Sequence, residues 1–418
     1  MSKSINVPKL RFKEFSGDWK EKKFADIYDF FQTNSFSRAL LNYESGDVKN
    51  IHYGDIHTKF KSNFFIYKEK VPFISADVDT SKLKDENYCQ IKDLVIADAS
   101  EDYNDIGKTI EIIELNDEKL VAGLHTYIAR DTKNKMALGF GGYFMQTYSV
   151  RLQMMKLATG ISVLGISKSN LSNMSLVIPS KQEQEKIASF LISIDTKIEQ
   201  IRKKEELLHQ YKKGVIQKIF NKYIRFKSDD GSEFCEWEEK KLGDLGTVIT
   251  GKTPSTSNSE FWNGKIEFIT PTDIEGSKYQ TKTTRTVTQQ SNMKILPIGT
   301  IVYTCIASIG KMSLSTLPSI TNQQINSLIV NDKKYNNEFV YYALLKITPY
   351  IQSTQANTTL PIINKTEFSK FIINVPCIEE QTKIANFLSS IDSKIEQVQK
   401  QLNFIKEFKK SLLHQMFV

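Results

Sequence analysis

The chain has 418 residues, of which 40% are hydrophobic and 25% charged, a composition typical of a globular protein with two or more domains. It has no run of about 18 or more apolar residues and no apolar stretch near its start of the kind that secretory signals need, so we expect a cytoplasmic protein with no membrane span. The formal net charge of +8 permits contact with nucleic acid, but it equally suits a solvated basic surface.

The first part of the chain, 1–177, contains short runs of β-forming residues separated by clusters of Gly, Asn, Ser and Thr. Runs such as 94-LVIA-97 and 110-IEIIEL-115 predict strands of a compact mixed α/β domain with many loops. The acidic segment 98-DASEDYND-105 could bind a metal, although a solvated loop explains it more simply. The glycine-rich 139-GFGGYF-144 is a weak match to a cofactor loop and is better explained as a flexible turn.

A heptad pattern follows this first block. Apolar residues recur every seven positions, and a second apolar series fills the interleaved positions, where Glu205 and Lys212 interrupt it. The two series are Ile187, Ile194, Ile201, Leu208 and Val215, and Leu191, Ile198 and Ile219. Five such heptads predict a long coiled-coil helix of about 40 residues and about 60 Å. Pro179 stands where a proline is tolerated just before a helix, and the region 181–227 carries twelve Lys/Arg against six Asp/Glu.

The second block opens on 246-GTVITGKT-253, which matches the G-x-x-x-x-G-K-T pattern of nucleotide-binding phosphate loops. A true phosphate loop leaves a strand, turns through small residues and opens a helix. Here the four intervening residues, 247-TVIT-250, are strand formers, and 254-PSTSNS-259 is turn sequence and a poor helix start. We therefore interpret the match as a coincidence on a strand and a surface loop. Further runs, 266-IEFIT-270, 300-TIVYTCIA-307 and 328-LIV-330, predict strands.

A second heptad segment closes the chain. Its apolar positions are Ile384, Leu388, Ile391, Ile395, Val398, Leu402, Ile405, Leu412 and Met416, with Lys409 the exception. The segment 376–397 repeats 179–200 with fifteen of 22 positions identical at an offset of 197. The chain is therefore two half-proteins in tandem. Two matched helices in one chain pair most simply with each other, so that both apolar seams are buried.

The blocks between these helices diverge, yet landmarks correspond. The segment 54-GDI-56 matches 272-TDI-274, 106-IGK-108 matches 309-IGK-311, and 121-VAGLHT-126 matches 320-ITNQQI-325. The entrances also correspond, since 19-WKEKKFADI-27 resembles 237-WEEKKLGDL-245. The same scaffold with different loops is the simplest explanation.

No catalytic set is visible. The chain contains no Pro-Pro dipeptide, so it lacks the tetrapeptide with which DNA amino-methyltransferases usually hold a flipped base. The histidines are scattered, and no Ser/His/Asp or Cys/His combination can be assembled. Cys89, Cys235, Cys305 and Cys377 are widely spaced, which predicts isolated thiols in a reducing cytosol and neither disulfides nor a zinc site.

This arrangement resembles the specificity subunits of type I restriction–modification systems. The resemblance covers essentially the whole chain and is carried most specifically by 178–200 and 375–397, with support from 237-WEEKKLGD-244, 298-IGTIVYTCIASIGK-311 and 356-ANTTLPIINKTEF-368. It implies an α+β fold with two mixed α/β target recognition domains. Two long conserved helices separate and follow these domains and pair as an antiparallel coiled coil with pseudo-two-fold symmetry.

The resemblance implies four segments: recognition domain 1 over 1–177, a helical spacer over 178–222, recognition domain 2 over 223–375, and a distal helix over 376–418. It also implies a non-catalytic protein that reads a bipartite, asymmetric site on double-stranded DNA. The implied partners are two modification subunits and restriction subunits. S-adenosylmethionine, ATP and Mg²⁺ would be bound by those partners and not by this chain.

Candidate DNA-contacting residues lie in loops that mix amides, hydroxyls, cations and aromatic rings, groups that serve base edges and phosphates. Taken singly, each of them is more simply explained as an ordinary loop residue. The candidates are His52, Tyr53, His57, Lys59, Lys108, His125 and Thr126 in the first block, and Lys252, Thr253, Ser255, Thr272, Lys311, Asn322, Gln323 and Gln324 in the second.

Three other functions compete with this interpretation. The chain could be a stand-alone DNA-binding regulatory protein, although the charge outside the helical segments is close to neutral. It could be a nucleotide hydrolase that uses Lys252, or a scaffold whose coiled coil spaces two protein-binding domains.

Overall fold

A computed structural model of the chain describes residues 6–290, 293–355 and 361–418. The first five residues of the motif 356–368 therefore lie outside the described residues. Within the described ranges, no helix combines the length and the apolar character that a membrane crossing requires.

The chain forms two compact units. Unit 1 comprises Met1–Arg202 together with Gln401–Val418, and unit 2 comprises Lys203–Lys400. These limits fall inside the two long helices, so the units cut across the four predicted segments. The four-segment division stays a prediction about how the sequence is organised.

Unit 1 is built from thirteen described strands and five helices, with short 3₁₀ turns at Phe24–Asp26, Arg38–Leu40, Ile66–Lys68 and Asp85–Asn87. The strands are β1 (Lys20–Lys23), β2 (Asp29–Phe31), β3 (Leu41–Asn42), β4 (Val48–Ile51), β5 (Asn63–Phe65), β6 (Phe73–Ile74), β7 (Leu94–Ala97), β8 (Ala99–Ser100), β9 (Thr109–Glu114), β10 (Lys119–Ala122), β11 (Thr126–Arg130), β12 (Leu164–Gly165) and β13 (Ser175–Ile178). The helices are α1 (Tyr53–Thr58), α2 (Phe140–Phe144), α3 (Tyr148–Leu157), α4 (Lys168–Ser172) and α5 (Lys181–Phe220), of which α5 continues into unit 2.

The main sheet of unit 1 has the order β2-β11-β7-β9-β5. Its neighbours are antiparallel except β5 and β9, which are parallel. A second sheet has the order β10-β4-β6-β3 and begins with a parallel pair. The predicted strands 94–97 and 110–115 are confirmed, and β7 is buried along its whole length. The antiparallel pair β1–β13 leads the chain into α5.

Unit 2 repeats this plan with β14 (Glu238–Lys241), β15 (Gly246–Thr250), β16 (Trp262–Ile269), β17 (Tyr279–Gln280), β18 (Arg285–Val287), β19 (Ile301–Thr304), β20 (Met312–Ser315), β21 (Ser319–Thr321), β22 (Ile325–Val330) and β23 (Ile372–Val375). Its helices are α6 (Leu242–Leu245), α7 (Asn337–Thr354), α8 (Lys365–Lys370) and α9 (Ile378–Gln415), with a 3₁₀ turn at Ser259–Phe261. The last part of α9, from Gln401, belongs to unit 1.

The main sheet of unit 2 corresponds strand by strand to that of unit 1, whereas its smaller sheet has three strands in place of four. The main sheet has the order β15-β22-β19-β20-β17, and again only its last pair is parallel. The smaller sheet, β18-β16-β21, combines one antiparallel and one parallel pair. The pair β14–β23 precedes α9 as β1–β13 precedes α5. The duplication predicted from the sequence is therefore a duplication of fold.

Both predicted long helices are confirmed, at 40 residues for α5 and 38 for α9. Most of the predicted apolar seam is buried: Ile187, Leu191, Ile194, Ile198, Ile201, Val215 and Ile219 on α5, and Ile384, Leu388, Ile391, Val398, Leu402, Leu412 and Met416 in the C-terminal segment, all at 9% exposure or less. Burial of apolar surface is the main driving force for pairing such helices.

The two helices run antiparallel within each unit. In unit 1, Phe417 just after α9 packs edge-on against Trp19, whose Nε1 donates to Glu183 at the start of α5. In unit 2, Phe220 at the end of α5 packs edge-on against Trp237, whose Nε1 donates to Glu380 at the start of α9. The start of one helix thus lies beside the end of the other in both units.

The lysines that interrupt the heptads are paired across the helices. In unit 1, Lys409 Nζ of α9 lies 2.6 Å from Asp195 Oδ1 of α5, and Asp195 also accepts a 2.6 Å hydrogen bond from the Tyr143 hydroxyl. Burial and the neighbouring Asp195 carboxylate raise the pKa of Tyr143, so this hydroxyl stays protonated and donates.

Unit 2 contains the same joint with the helices exchanged. Lys212 of α5 forms an ion pair with Asp392 of α9, and Asp392 accepts a hydrogen bond from the Tyr342 hydroxyl. The nearby Lys278, almost fully buried, adds a 2.9 Å ion pair to Glu338. In the sequence these lysines are only exceptions in the heptads, because their partners lie about 180 to 210 residues away in the chain.

A buried glutamate stands at the start of each long helix. Glu183 receives Arg11 Nε and Nη2 at 2.7 Å each. Its repeat equivalent Glu380 receives Arg225 Nη2 at 3.0 Å, in addition to the tryptophan bond described above. Bidentate arginine–carboxylate contacts of this kind fix geometry as well as charge. Each glutamate therefore connects the segment that precedes the first strand of its unit to the first turn of a long helix.

One expectation from the sequence is corrected here. The segment 139–144 is not a flexible turn, because Phe140–Phe144 is a fully buried short helix. The backbone N–H groups of Gly139 and Gly142 donate to the Glu111 carboxylate at 2.8 and 2.7 Å, while burial raises the pKa of Glu111 to about 7. The four cysteines are free thiols, as predicted, and burial raises the pKa of Cys377.

Replacing Glu380 with Gln should destabilise unit 2 strongly, because the Arg225 guanidinium loses its buried counter-charge. Removing one partner of a buried pair costs about 3–5 kcal/mol, and we expect the lower end because Arg225 remains 22% exposed. Urea unfolding should show a similar loss for Glu183→Gln. The adjacent exposed residues provide matched controls, and Glu379→Gln and Glu185→Gln should leave the unfolding free energy almost unchanged.

Candidate nucleic-acid interface

The first candidate surface lies on α1 of unit 1. His52 caps this helix, since its Nδ1 accepts a 3.1 Å hydrogen bond from the N–H of Gly54. The ring of Tyr53 lies 4.6 Å from that of His52, 5.6 Å from that of His57 and 5.4 Å from that of His125. Three candidate residues from 52–57 and the distant His125 are thus brought into one aromatic cluster, which we call the histidine–tyrosine cluster.

The charge states of His52 and His57 follow from their burial. Burial is the main cause that lowers the pKa of both His52 and His57, so both rings are neutral at pH 7. His125 is about half exposed, and its Nδ1 lies 3.4 Å from Asp98 Oδ1, an oxygen that accepts no hydrogen bond from the described residues. A neutral imidazole has one donor and one acceptor nitrogen. Such rings are suited to hydrogen bonding with base edges more than to binding phosphate charge.

The remaining candidates of unit 1 divide into two groups. Lys108 Nζ donates to the carbonyl of His57 at 2.8 Å and pairs with Asp105, so it holds the backbone of the cluster in place. Lys59 is exposed and follows α1 directly. Thr126 does not fit the prediction: it is 2% exposed in β11, and its hydroxyl donates to the carbonyl of Gly123. A strand alternates its side chains between two faces, and Thr126 lies on the buried one.

The second candidate surface, in unit 2, joins two loops. The Thr253 hydroxyl donates to Gln323 Oε1 at 2.7 Å, which connects the loop after β15 to the loop before β22. In the latter loop, Asn322 Nδ2 donates to Gln324 Oε1 at 2.9 Å. Asn322 itself is only 8% exposed. It therefore shapes the loop and does not reach out to a base, whereas Gln323 is exposed.

The other four candidates of unit 2 lie on these and neighbouring loops. Lys252 and Ser255 are exposed on the loop after β15, and the Ser255 hydroxyl lies 2.8 Å from that of Ser257. Lys311 Nζ donates to the carbonyl of Pro271 at 3.3 Å, next to the exposed Thr272. The correspondence of 106–108 with 309–311 is thus also spatial, because each lysine donates to a backbone carbonyl beside the Gly/Thr-Asp-Ile segment of its unit.

The apparent phosphate loop is a strand and a surface turn, as predicted. Residues 246–250 form β15, and the residues after Thr253 do not open a helix. The two glycines of the pattern have packing roles. A Cβ at Gly246 would lie 2.0 Å from the carbonyl oxygen of Ile329, and one at Gly251 would lie 2.2 Å from that of Asn322. Glycine is required here because two backbone segments approach closely.

Sequence reasoning missed several residues that flank these surfaces. In unit 2, the exposed guanidinium of Arg285 lies 4.7 Å from the ring of Trp262, and Trp262 Nε1 donates to the carbonyl of Ser255. In unit 1, Arg38 and Tyr43 lie beside Lys59. The contact between Trp262 and Arg285 could not be predicted from the sequence, because the two residues are 23 positions apart and only strand pairing brings them together. Within the described residues, no His/Cys/Asp/Glu group of metal-binding size occurs, including around 98–105.

Comparisons with known proteins agree with the duplicated architecture. Residues 16–209 and 235–407 match the family model described as the type I restriction modification DNA specificity domain. The type I restriction enzyme MjaIX specificity subunit of Methanocaldococcus jannaschii is 31% identical over 200 residues, which span 46% of each chain. The putative MjaX specificity subunit of the same organism is 25% identical over 99% of this chain and 96% of its own.

A solved structure shows the same fold. The crystal structure of a type I restriction–modification S subunit from M. genitalium superposes with a TM-score of 0.58 over 99% of both chains, at 16% sequence identity.

Gly251→Ala should destabilise unit 2, whereas Lys252→Ala should not. The added methyl group would collide with the backbone of the neighbouring loop, and overpacking of this kind typically costs about 1–3 kcal/mol. Lys252 is exposed, so its removal should change the unfolding free energy by less than about 0.5 kcal/mol. Thermal and urea unfolding of both variants measure the difference. A nucleotide-dependent increase in the stability of the wild-type chain that Lys252→Ala abolishes would contradict this interpretation.

Proposed function

The chain belongs to the type I restriction–modification DNA specificity family, and from this premise we propose that its two units read the two halves of a bipartite, asymmetric DNA site. A specificity subunit recognises DNA sequence. We further propose that this recognition directs adenine methylation or restriction by partner subunits and that the chain itself is not catalytic. In this proposal S-adenosylmethionine, ATP and Mg²⁺ are bound by those partners, and the complex acts in the cytoplasm.

The observation that carries the proposal is one scaffold with two different surfaces. The strand order of the main sheet is the same in both units, and so are the joints to the long helices. The loops at the equivalent edges differ in chemistry, with histidines around Tyr53 in unit 1 and amides with hydroxyls in unit 2. Two identical surfaces would suit a palindrome, and two different ones suit an asymmetric site.

The side chains present are those that read base edges. Asn and Gln pair with adenine through two hydrogen bonds, Lys reaches guanine, and Ser or Thr serves bases and phosphates. Gln323 of unit 2 is exposed and held by Thr253, so its free amide group is pre-positioned for a base edge. Lys252 directly precedes Thr253 on the same loop, and both Lys252 and Lys311 are exposed lysines that suit phosphate or guanine contacts.

The long helices present two equivalent apolar patches. Phe404 and Phe408 of α9 are 73% and 44% exposed and their rings are stacked, while Leu207 and Tyr211 of α5 are 51% and 53% exposed. Each pair is spaced i, i+4, so each forms one patch on one helix face. The two pairs are related by the repeat offset of 197. Equivalent patches suit two copies of one partner, and we propose that each binds one modification subunit.

Mapping methylated adenines in DNA tests the recognition proposal. DNA exposed to this chain with its modification subunits should carry methyl groups in one bipartite motif with a fixed gap. Gln323→Ala with Lys252→Ala should relax positions in one half of that motif, and His57→Ala with His125→Ala should relax positions in the other half. Each lost base contact should cost about 1–3 kcal/mol of discrimination. An unaltered motif in both variants would contradict the placement of the readers.

Counting bound modification subunits tests the helix patches. Phe404→Ala with Phe408→Ala should lower the stoichiometry from two to one without destabilising the chain, because both side chains are exposed. Leu207→Ala with Tyr211→Ala should have the same effect, and all four changes together should abolish assembly. Native mass spectrometry measures the stoichiometry. The exposed neighbours Lys406→Ala and Lys204→Ala serve as controls, and equal losses in those controls would exclude a specific patch.

A further inference from the structure

A second cluster in unit 1, beside the histidine–tyrosine cluster, is built from charge. Asp55 lies in α1 and is fully buried, and its Oδ1 accepts hydrogen bonds from Arg38 Nη2 at 2.7 Å and Lys59 Nζ at 2.8 Å. Arg38 and Lys59 themselves are 41% and 51% exposed. The carboxylate is therefore hidden while both of its cations reach the surface.

Tyr43 contacts the same two cations, Arg38 and Lys59. Its hydroxyl accepts hydrogen bonds from Arg38 Nη1 and Lys59 Nζ at 3.1 Å each. The ammonium groups of Lys59 and Lys70 lie 5.4 and 5.1 Å from its ring centroid, within the range of cation–π attraction. Arg38 and Lys59 thus contact one buried carboxylate, and Lys70 joins them at the phenol ring, so three cations outweigh the single charge of Asp55.

The cluster is fixed in position, unlike ordinary surface lysines. Burial alone would raise the pKa of Asp55, but hydrogen bonds from Arg38 and Lys59 outweigh it and lower the pKa, so Asp55 is ionised at neutral pH. Arg38 uses two of its five N–H donors in these bonds, and the guanidinium plane is set by them. A pre-positioned cation loses less conformational entropy when it binds an anion.

We propose that Arg38, Lys59 and Lys70, positioned by Asp55 and Tyr43, bind the DNA backbone phosphates next to the bases that the histidine–tyrosine cluster reads. The inference rests on the proposed function, since it assigns the backbone contacts of the same recognition surface. The location supports it, because His52 is near enough to Arg38 and Lys59 for their charges to contribute to lowering its pKa. In this proposal the cations bind phosphates and position the protein on the duplex, while the neutral imidazoles contact bases and recognise the sequence.

Salt dependence distinguishes a phosphate contact from a base contact. The logarithm of affinity falls with the logarithm of salt concentration by about 0.9 per neutralised phosphate. Arg38→Gln and Lys59→Gln should each make this slope shallower by about 0.9 and weaken binding about fivefold at 0.15 M salt. The loss should be equal for the cognate duplex and for a scrambled duplex. Binding of the full complex with modification subunits is measured, and Lys82→Gln, at an exposed lysine of the same unit, is the control.

Asp55→Asn provides a test in which the proposal and a simple effect of net charge predict opposite changes in DNA affinity. The substitution makes the chain more positive, so a simple attraction to DNA would strengthen binding. If Asp55 positions Arg38 and Lys59, binding should weaken instead. Asp77→Asn makes the same charge change at an exposed site of unit 1 and should not weaken binding. If Asp55→Asn does not fold, as judged by near-ultraviolet circular dichroism, the slopes of Arg38→Gln and Lys59→Gln decide the question.

Two results would overturn the inference. One is a change in the preferred base at a single position with an unchanged salt slope, because Arg38 or Lys59 would then read a base. The other is wild-type slopes and affinities in both glutamine variants. In either case the wild-type complex would still prefer its mapped site over the scrambled duplex. If the wild-type complex shows no such preference, the proposed function itself fails.

Discussion

The structure depends on the antiparallel pairing of the two long helices within each unit. Unit 1 contains the start of α5 and the end of α9, and unit 2 contains the end of α5 and the start of α9. Phe417 completes the aromatic core of unit 1 around Trp19, and Phe220 completes that of unit 2 around Trp237. Unit 1 is therefore formed from two separate segments of the chain, and unit 2 combines the end of α5 with the start of α9 in one continuous segment. Each recognition surface is supported by residues from both halves of the chain.

Polar side chains determine the register of this pairing. The apolar seam drives association but permits several alignments, whereas a lysine within the seam is satisfied only opposite an acid. Lys409 meets Asp195 in unit 1 and Lys212 meets Asp392 in unit 2, and in each unit a tyrosine of the mixed domain donates to the same carboxylate. In each unit a single aspartate therefore joins the two long helices to each other and also joins them to the mixed α/β domain. Because this arrangement occurs in both units, the loop sequences can diverge while the helices and sheets that support the loops stay the same.

Periodicity and repetition were the parts of the sequence that could be interpreted with confidence. The heptads predicted α5 and α9, the constant offset predicted the duplicated scaffold, and strand-forming residues excluded the phosphate loop. Contacts between distant residues were not predictable. The partners of Lys212 and Lys409, and the group formed by Arg38, Tyr43 and Asp55, are brought together only by tertiary packing. Burial of individual loop-edge residues also escaped prediction, as Thr126 and Asn322 show.

A double-mutant cycle on Asp195 and Lys409 tests the pairing of the helices most directly. Asp195→Ala, Lys409→Ala and the double variant are compared by urea unfolding, with Asp195 and the exposed Lys410 as the control pair. Residues in direct contact show interaction energies of about 0.5–3 kcal/mol, whereas independent sites add within about 0.5 kcal/mol. The antiparallel register predicts a favourable coupling of at least about 1 kcal/mol for Asp195 with Lys409 and additivity for the control. Additive losses for Asp195 and Lys409 would contradict the register on which both units depend.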